Sequence, residues 1–201
     1  MPVVYLTDSK EGGTIVEEKL KLIVRAKRGD AIAFQQLIHL EKEKLYKMAY
    51  VYMRNEDEAL EVFQETVYLA FKSITKLKND LYFSTWIIRI LINTSISTLR
   101  KKKRFVLINE EMWDNMPGKE MVETDVQIDL MNALNEMDEK YKTVLLLRYY
   151  QDYTIQQIAV ILGCPEGTVK TNIRRGITVL KEKMKGVYKD DRQNSIIQGR
   201  V

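Results

Sequence analysis

The 201-residue chain contains one cysteine, Cys164, and one histidine, His39. A lone thiol excludes an internal disulfide and a cysteine-rich metal site. Cys164 therefore reads as a small apolar packing residue, not a redox group. His39 stands beside Leu37, Ile38 and Leu40 with no Ser, Cys or carboxylate cluster, so it reads as a partly buried helix residue, not a base or ligand. No set of residues assembles a catalytic centre; neither an enzyme nor a cofactor or metal is expected. Long apolar runs are also missing, since no segment approaches the ~18 uninterrupted apolar residues of a membrane span. The N-terminal MPVVYLTDSKEGG lacks a basic region followed by an apolar core. The expectation is a cytoplasmic protein without membrane insertion.

A large surplus of one charge is absent too. The net charge of +4 is too small to indicate nucleic acid by itself. Its distribution says more. Arg100 to Arg104 reads RKKKR, residues 105–129 hold seven acids against Lys119, and Glu166 to Lys185 has six bases against two acids. Two basic segments are thus separated by an acidic one. With 45% apolar and 30% charged residues, the chain can form one or two cored domains.

The most informative stretch is Thr154 to Lys185. Ile155, Ile158, Ala159 and Leu162 share one helical face, and Thr154 with Gln157 forms a capping box. Gly163 suits a left-handed helix end, and Pro165 cannot continue a helix because it lacks an amide hydrogen. A second run, Val169, Ile173, Ile177, Leu180 and Met184, leaves Lys170, Thr171, Arg174 and Arg175 on the opposite side. Two helices joined by a tight turn, the second presenting cations outward, form a helix-turn-helix suited to the DNA major groove. The plainer reading is a surface helical hairpin with a solvated charged face.

Residues 1 to about 15 lack a period and read as a flexible extension. Leu20, Ile23 and Val24 suggest a short helix ended by Gly29, with Asp30 capping the next. Ala33, Phe34, Leu37, Ile38, Leu45, Met48, Ala49 and Tyr52 continue a helical stripe to about residue 53. Ala59, Val62, Phe63, Thr66, Val67, Ala70, Phe71 and Ile74 form another, whose acidic start, Glu56 to Glu58 with Glu61 and Glu65, favours the helix dipole. After a Lys- and Asn-rich loop, residues 83–104 form a helix with Ser84 as its cap and Trp86, Ile87, Ile90 and Leu91 apolar. Phe105 to Asp125 contains Pro117-Gly118 and reads as a linker. Ile128, Met131, Leu134 and Met137 begin a second domain. A helix capped by Asp138 follows, whose Tyr141, Val144, Leu145, Leu147 and Tyr149 brace the helix-turn-helix. Gly186 ends the last helix. The fold class is all-α, two helical bundles joined by a flexible acidic linker.

Three segments resemble the extracytoplasmic-function group of bacterial sigma factors, in the order that family has them. Pro165, Gly167, Thr168, Val169 and Lys170 match its Pro-x-Gly-Thr-Val-Lys/Arg string. Glu58, Ala59, Glu61, Gln64 and Glu65 match Asp-Ala-x-Asp-x-x-Gln-Glu, with Glu for Asp twice and Leu60 at a usually polar place. Phe83, Trp86, Ile87, Ile90, Asn93, Leu99 and Arg100 match Phe-x-x-Trp-Leu-x-x-Ile-x-x-Asn…Leu-Arg. The resemblance implies a sigma factor that takes core RNA polymerase to promoter DNA, often restrained by an anti-sigma factor. It implies region 2 over 16–104, region 4 over 126–186 and, between them, a linker over 105–125 that threads the polymerase's RNA exit region, for which a solvated spacer is the plainer role; residues 1–15 and 187–201 read as a flexible extension and a polar tail. Glu58, Glu61, Gln64 and Glu65 are then expected to bind the polymerase. Asn79, Asp80, Tyr82, Ser84, Arg89, Asn93, Arg100 and Lys101 are expected to hold the opened minus-ten element, recovering the few kcal/mol lost on unstacking a base. Thr168, Lys170, Thr171, Arg174 and Arg175 are expected to read minus-thirty-five duplex. Packing is the competing role for Phe83 and Trp86, and a solvated helix end for the Lys/Arg run. Two rival functions stay open. A stand-alone helix-turn-helix regulator would bind duplex without polymerase. An enzyme on nucleic acid would show metal-dependent cleavage.

Overall fold

The computed structural model describes residues 10–108 and 125–198, and the chain divides between Lys102 and Lys103 into two compact units. Among the described residues every regular element is helical. The first unit comprises α1 (Lys10–Lys27), α2 (Ala31–Met53), α3 (Glu56–Ser73), single 3-10 turns at Ile74–Lys76 and Asp80–Tyr82, and α4 (Phe83–Ile108) as far as Lys102, the helix continuing past the boundary. The second comprises α5 (Asp125–Asn135), α6 (Glu139–Leu145) running into a π turn (Leu146–Tyr150), α7 (Ile155–Leu162) and α8 (Glu166–Gln198).

Local chemistry sets the boundaries in the first unit. Gly29 takes φ 94°, and the Asp30 side chain accepts a 3.0 Å hydrogen bond from the Ala33 N–H to open α2. That bond and the Arg25 guanidinium hold the Asp30 carboxyl below its ordinary range. A depressed carboxyl stabilises the folded state above its unfolded pKa, and the contribution disappears as pH falls through the folded value. Arg54 closes α2 in the left-handed region at φ 57°, and Asn55 caps α3 through the Glu58 N–H at 2.9 Å. α1 starts at Lys10, inside the stretch expected to be an extension. Gly12 and Gly13 lower helix propensity there, but burial of Ile23 and Ala26 downstream supplies the packing that most helices depend on. Residues 1–9 lie outside the described residues.

Of the expected stripe of α2, Ala33, Phe34, Leu37, Leu45, Met48, Ala49 and Tyr52 are in the core and Ile38 is half-buried. Glu41, one turn from both Leu37 and Leu45, is buried with them at 6% exposure. Its Oε1 accepts from Lys19 Nζ of α1 at 2.5 Å and from the Ser84 hydroxyl of α4 at 2.7 Å, while Lys19 also donates to Ser84 Oγ at 2.8 Å. Ser84 is therefore not the cap of α4. The helix grows directly out of the preceding 3-10 turn, and Asn79 caps that turn by accepting from the Leu81 N–H at 3.0 Å. His39 is exposed, on the side of α2 away from the core.

In the second unit the capping box is formed: the Thr154 N–H donates to Gln157 Oε1 at 2.9 Å and the Gln157 N–H to Thr154 Oγ1 at 3.2 Å. Gly163 takes φ 64°. Asp138 stands at the start of α6 but makes no cap bond, its carboxylate pairing with Lys140 at 2.9 Å. The π turn inserts a residue into the helical register, closing with the Gln151 N–H on the Leu146 carbonyl at 3.0 Å. Leu146 and Leu147 are consequently both buried, and Tyr149, expected to brace the core, is 62% exposed; Tyr153 takes the inner place. α8 does not stop at Gly186 but runs to Gln198. Glycine costs a helix about 1 kcal/mol relative to Ala, which weakens it without ending it. α4 reaches Ile108 and α5 starts at Asp125, and residues 109–124, most of the expected linker, lie outside the described residues.

α6 and α8 cross at Gly176. A Cβ there would stand 3.3 Å from Leu145 Cδ1 and Cγ and 3.4 Å from Tyr141 Cβ. Gly176→Val is expected to destabilise the second unit by about 1–3 kcal/mol through overpacking, read as a lower urea midpoint of that unit's transition. An unchanged midpoint would mean that the crossing is loose.

Candidate nucleic-acid interfaces

The site in the first unit begins with α4. Phe83, Ile87, Ile88, Leu91, Ile92 and Ser95 are buried, whereas Arg89, Asn93, Ser97, Arg100 and Arg104 are exposed. The exposed residues recur every three or four positions, so they form one stripe along the helix, with exposed Lys101 beside it. Cations alternating with an amide and a hydroxyl suit a phosphate backbone with base edges alongside. Phe83 is in the core and Trp86 half-buried, their ring centroids 5.9 Å apart, so the aromatic pair packs the helix down.

At the head of this stripe lies the segment Leu77–Tyr82. Leu77 is buried, whereas Lys78, Asn79, Leu81 and Tyr82 are exposed. Asp80 and Ser84 differ from the other minus-ten candidates. The Asp80 carboxylate pairs with Lys27 of α1 at 2.8 Å, and Ser84 belongs to the Glu41 cluster. The structure thus brings Asn79, Tyr82, Arg89, Asn93, Arg100 and Lys101 to the surface and engages Asp80 and Ser84 in ties between helices.

On α3, Glu61, Gln64 and Glu65 are exposed opposite buried Ala59, Val62, Thr66 and Ala70. Glu58 is half-buried and pairs with Lys102, at 2.5 Å. Tyr68 continues the exposed row at 53% exposure, with Lys72 Nζ 5.4 Å from its ring centroid, and Leu60 is 45% exposed. Sequence reasoning passed over Tyr68, although it stands four positions from Gln64. Lys19, Lys27 and Glu41 were also passed over. Only Glu41 carried a signal, a charge set within an apolar stripe.

In the second unit Val169 and Gly176 of α8 are buried, Thr168, Lys170, Arg174 and Arg175 are exposed, and Thr171 is half-buried. Lys170 and Arg174 form one row, and Thr168, Thr171 and Arg175 the adjacent one. An added Cβ at Gly167 meets nothing within 4 Å, so this end of α8 is unobstructed within its own unit. The turn before α7 is held by Asp152 at φ 55° and by an Arg148 guanidinium bond to the Tyr153 carbonyl at 3.0 Å. Burial pushes the Tyr150 hydroxyl above its ordinary pKa. Among the described residues no group of three or more His, Cys, Asp or Glu could hold a metal ion, and no helix is long and apolar enough to cross a membrane.

Residues 37–105 match the Sigma-70 region 2 family and residues 127–180 the Sigma-70 region 4 family. The RNA polymerase sigma factor SigV of Bacillus subtilis is 33% identical over 141 residues, covering 70% of this chain and 84% of the relative. The ECF RNA polymerase sigma factor SigW of the same organism is 31% identical over 179 residues, covering 82% and 96%. The fold resembles that of the sigma factor RpoE solved in complex with the anti-sigma factor NepR from Bartonella quintana, with a TM-score of 0.60, 24% identity and coverage of 76% and 96%. With both regions present in order and two relatives above 30% identity along most of their length, the chain belongs to the extracytoplasmic-function sigma factors, non-catalytic subunits that bring core RNA polymerase to promoters to initiate transcription.

Proposed function

We propose a division of labour between the two regions. Region 2, over 16–104, docks on core polymerase through Glu61, Gln64 and Glu65 with Glu58 beside them. It holds the opened minus-ten strand on Asn79, Tyr82, Arg89, Asn93, Arg100 and Lys101, with Asp80 and Ser84 supporting that surface from beneath. Region 4, over 126–186, lays α8 in the major groove at minus thirty-five, where Thr168, Lys170, Thr171, Arg174 and Arg175 meet phosphates and base edges. One observation carries this reading. In each unit the cations suited to nucleic acid, Arg89, Arg100 and Lys101 on α4 and Lys170, Arg174 and Arg175 on α8, are exposed on a helix whose opposite side is buried, so burial fixes their orientation before any DNA arrives. The protein works in the cytoplasm beside the polymerase. An anti-sigma factor is a fitting regulator, since the solved relative RpoE was captured with one.

Sequencing RNA start sites from transcription in vitro with purified core enzyme tests the whole reading; an unchanged choice of start site would end it. Two variants separate the regions. Arg174→Ala with Arg175→Ala should weaken holoenzyme binding to minus-thirty-five duplex and lower the salt slope by about 1 for each phosphate no longer neutralised. Core binding should stay as before, and its loss would contradict the assignment. Glu61→Lys with Glu65→Lys should reduce assembly with core polymerase in a fluorescence titration while the free protein keeps its thermal midpoint. Normal assembly would remove α3 as the docking face.

A further inference from the structure

We propose that Lys27, a residue of α1 outside the stretch matched to region 2, is the positioning residue of the loop that receives the opened minus-ten strand. Its Nζ donates to the Leu77 carbonyl and to Asp80 Oδ1, both at 2.8 Å. Those acceptors are three residues apart, at the two sides of the bend that carries Lys78 and Asn79. The Lys27 and Asp80 side chains are about three-quarters buried, at 26% and 25% exposure, so the pair is shielded from salt more than an ordinary surface bridge. One ammonium thereby fixes the spacing between the two 3-10 turns.

Other contacts of the loop are local or apolar. Leu77 and Phe83 anchor its ends in the core, Asn79 caps the Leu81 N–H, and the Tyr82 N–H donates to the Asn79 carbonyl at 3.1 Å. These bonds shape the Asp80–Tyr82 turn without connecting it to α1, whereas Lys27 does both. α1 itself is docked by Ile23, Ala26 and the Lys19–Glu41–Ser84 cluster, so its place in the unit does not rest on Lys27.

The function follows from preorganisation. Ordering a flexible backbone costs conformational entropy at every residue, and a loop already held in its binding geometry does not incur that cost when the strand arrives. If removing the clamp leaves the loop competent about a tenth of the time, apparent affinity falls about tenfold. The decrease falls on base-specific contacts made by the loop, whereas phosphate contacts along α4 depend on charge and helix position and persist. Lys27 therefore governs minus-ten discrimination without touching DNA.

This inference rests on the proposed role of the 77–82 loop, and the test separates the two. Holoenzymes carrying Lys27→Met, Lys27→Arg, Asp80→Asn, or Asn79→Ala with Tyr82→Ala are titrated with templates already opened across minus ten. The templates carry either the promoter mapped for this polymerase or single-base substitutions in it. Lys27→Met keeps the buried stem and removes the donors. It should lower the ratio of affinities for mapped and substituted strands about five- to tenfold, within the decrease expected for a mostly unclamped loop. Core binding and duplex binding at minus thirty-five should be unchanged, and Lys27→Arg should restore much of the ratio. Asp80→Asn tests the same clamp from the other side if Lys27→Met folds poorly. Wild-type discrimination in Lys27→Met alongside abolished discrimination in the Asn79/Tyr82 variant would overturn the clamp and spare the loop's role. Wild-type discrimination in both would overturn the clamp and the loop's role together. An equal drop in core and minus-thirty-five binding in Lys27→Met would reduce Lys27 to a general structural residue and overturn the proposal as well.

Discussion

The first unit is registered by a buried carboxylate. Glu41 occupies a core position of α2, and a buried charge is tolerated only where donors answer it. The donors come from Lys19 on α1 and Ser84 on α4, so satisfying one side chain fixes the relative rotation of three helices. The hydrogen-bonded triad adds a directional constraint to the apolar packing. With α4 fixed in this way, the row from Arg89 to Arg104 has one direction in which to point.

The second unit achieves its orientation by shape. Gly176 lets α8 press against Leu145 and Tyr141 of α6, and the π turn after α6 places Leu146 and Leu147 in the core together. Val169 then buries at the first turn of α8, leaving Lys170 and Arg174 outward. The two units thus use opposite means, a buried polar cluster and a close apolar approach, to present a cationic helix face.

Much of this was legible from residue spacing. The capping box, the left-handed Gly163, the cap at Asp30 and the stripe of α2 all depend on interactions within a few residues, which sequence displays directly. What was missed depended on distant partners or on small shifts of register. Ser84 reads locally as a cap because its partners Glu41 and Lys19 lie 43 and 65 residues away. Tyr149 reads as core under a uniform helical period, and it lies within the π turn that breaks that period. Gly186 reads as a stop, yet no left-handed geometry or proline follows to enforce one. Among candidate site residues, the spacing on α4 and α8 was sufficient to pick out exposed faces, but not to show that Asp80 is already engaged by a lysine 53 residues away.

The pairing of Glu58 with Lys102 joins the acidic start of α3 to the basic run at the end of α4. A cationic partner that takes the Glu58 oxygen held by Lys102 displaces that lysine, returning one positive charge to the surface between Arg100 and Arg104. Thermodynamic reciprocity then requires a polyanion that engages Lys102 to make Glu58 easier to capture by the same free energy. For a pair whose lysine is more than half exposed that free energy is on the order of 1 kcal/mol, a gentle exchange of counter-ions rather than a latch.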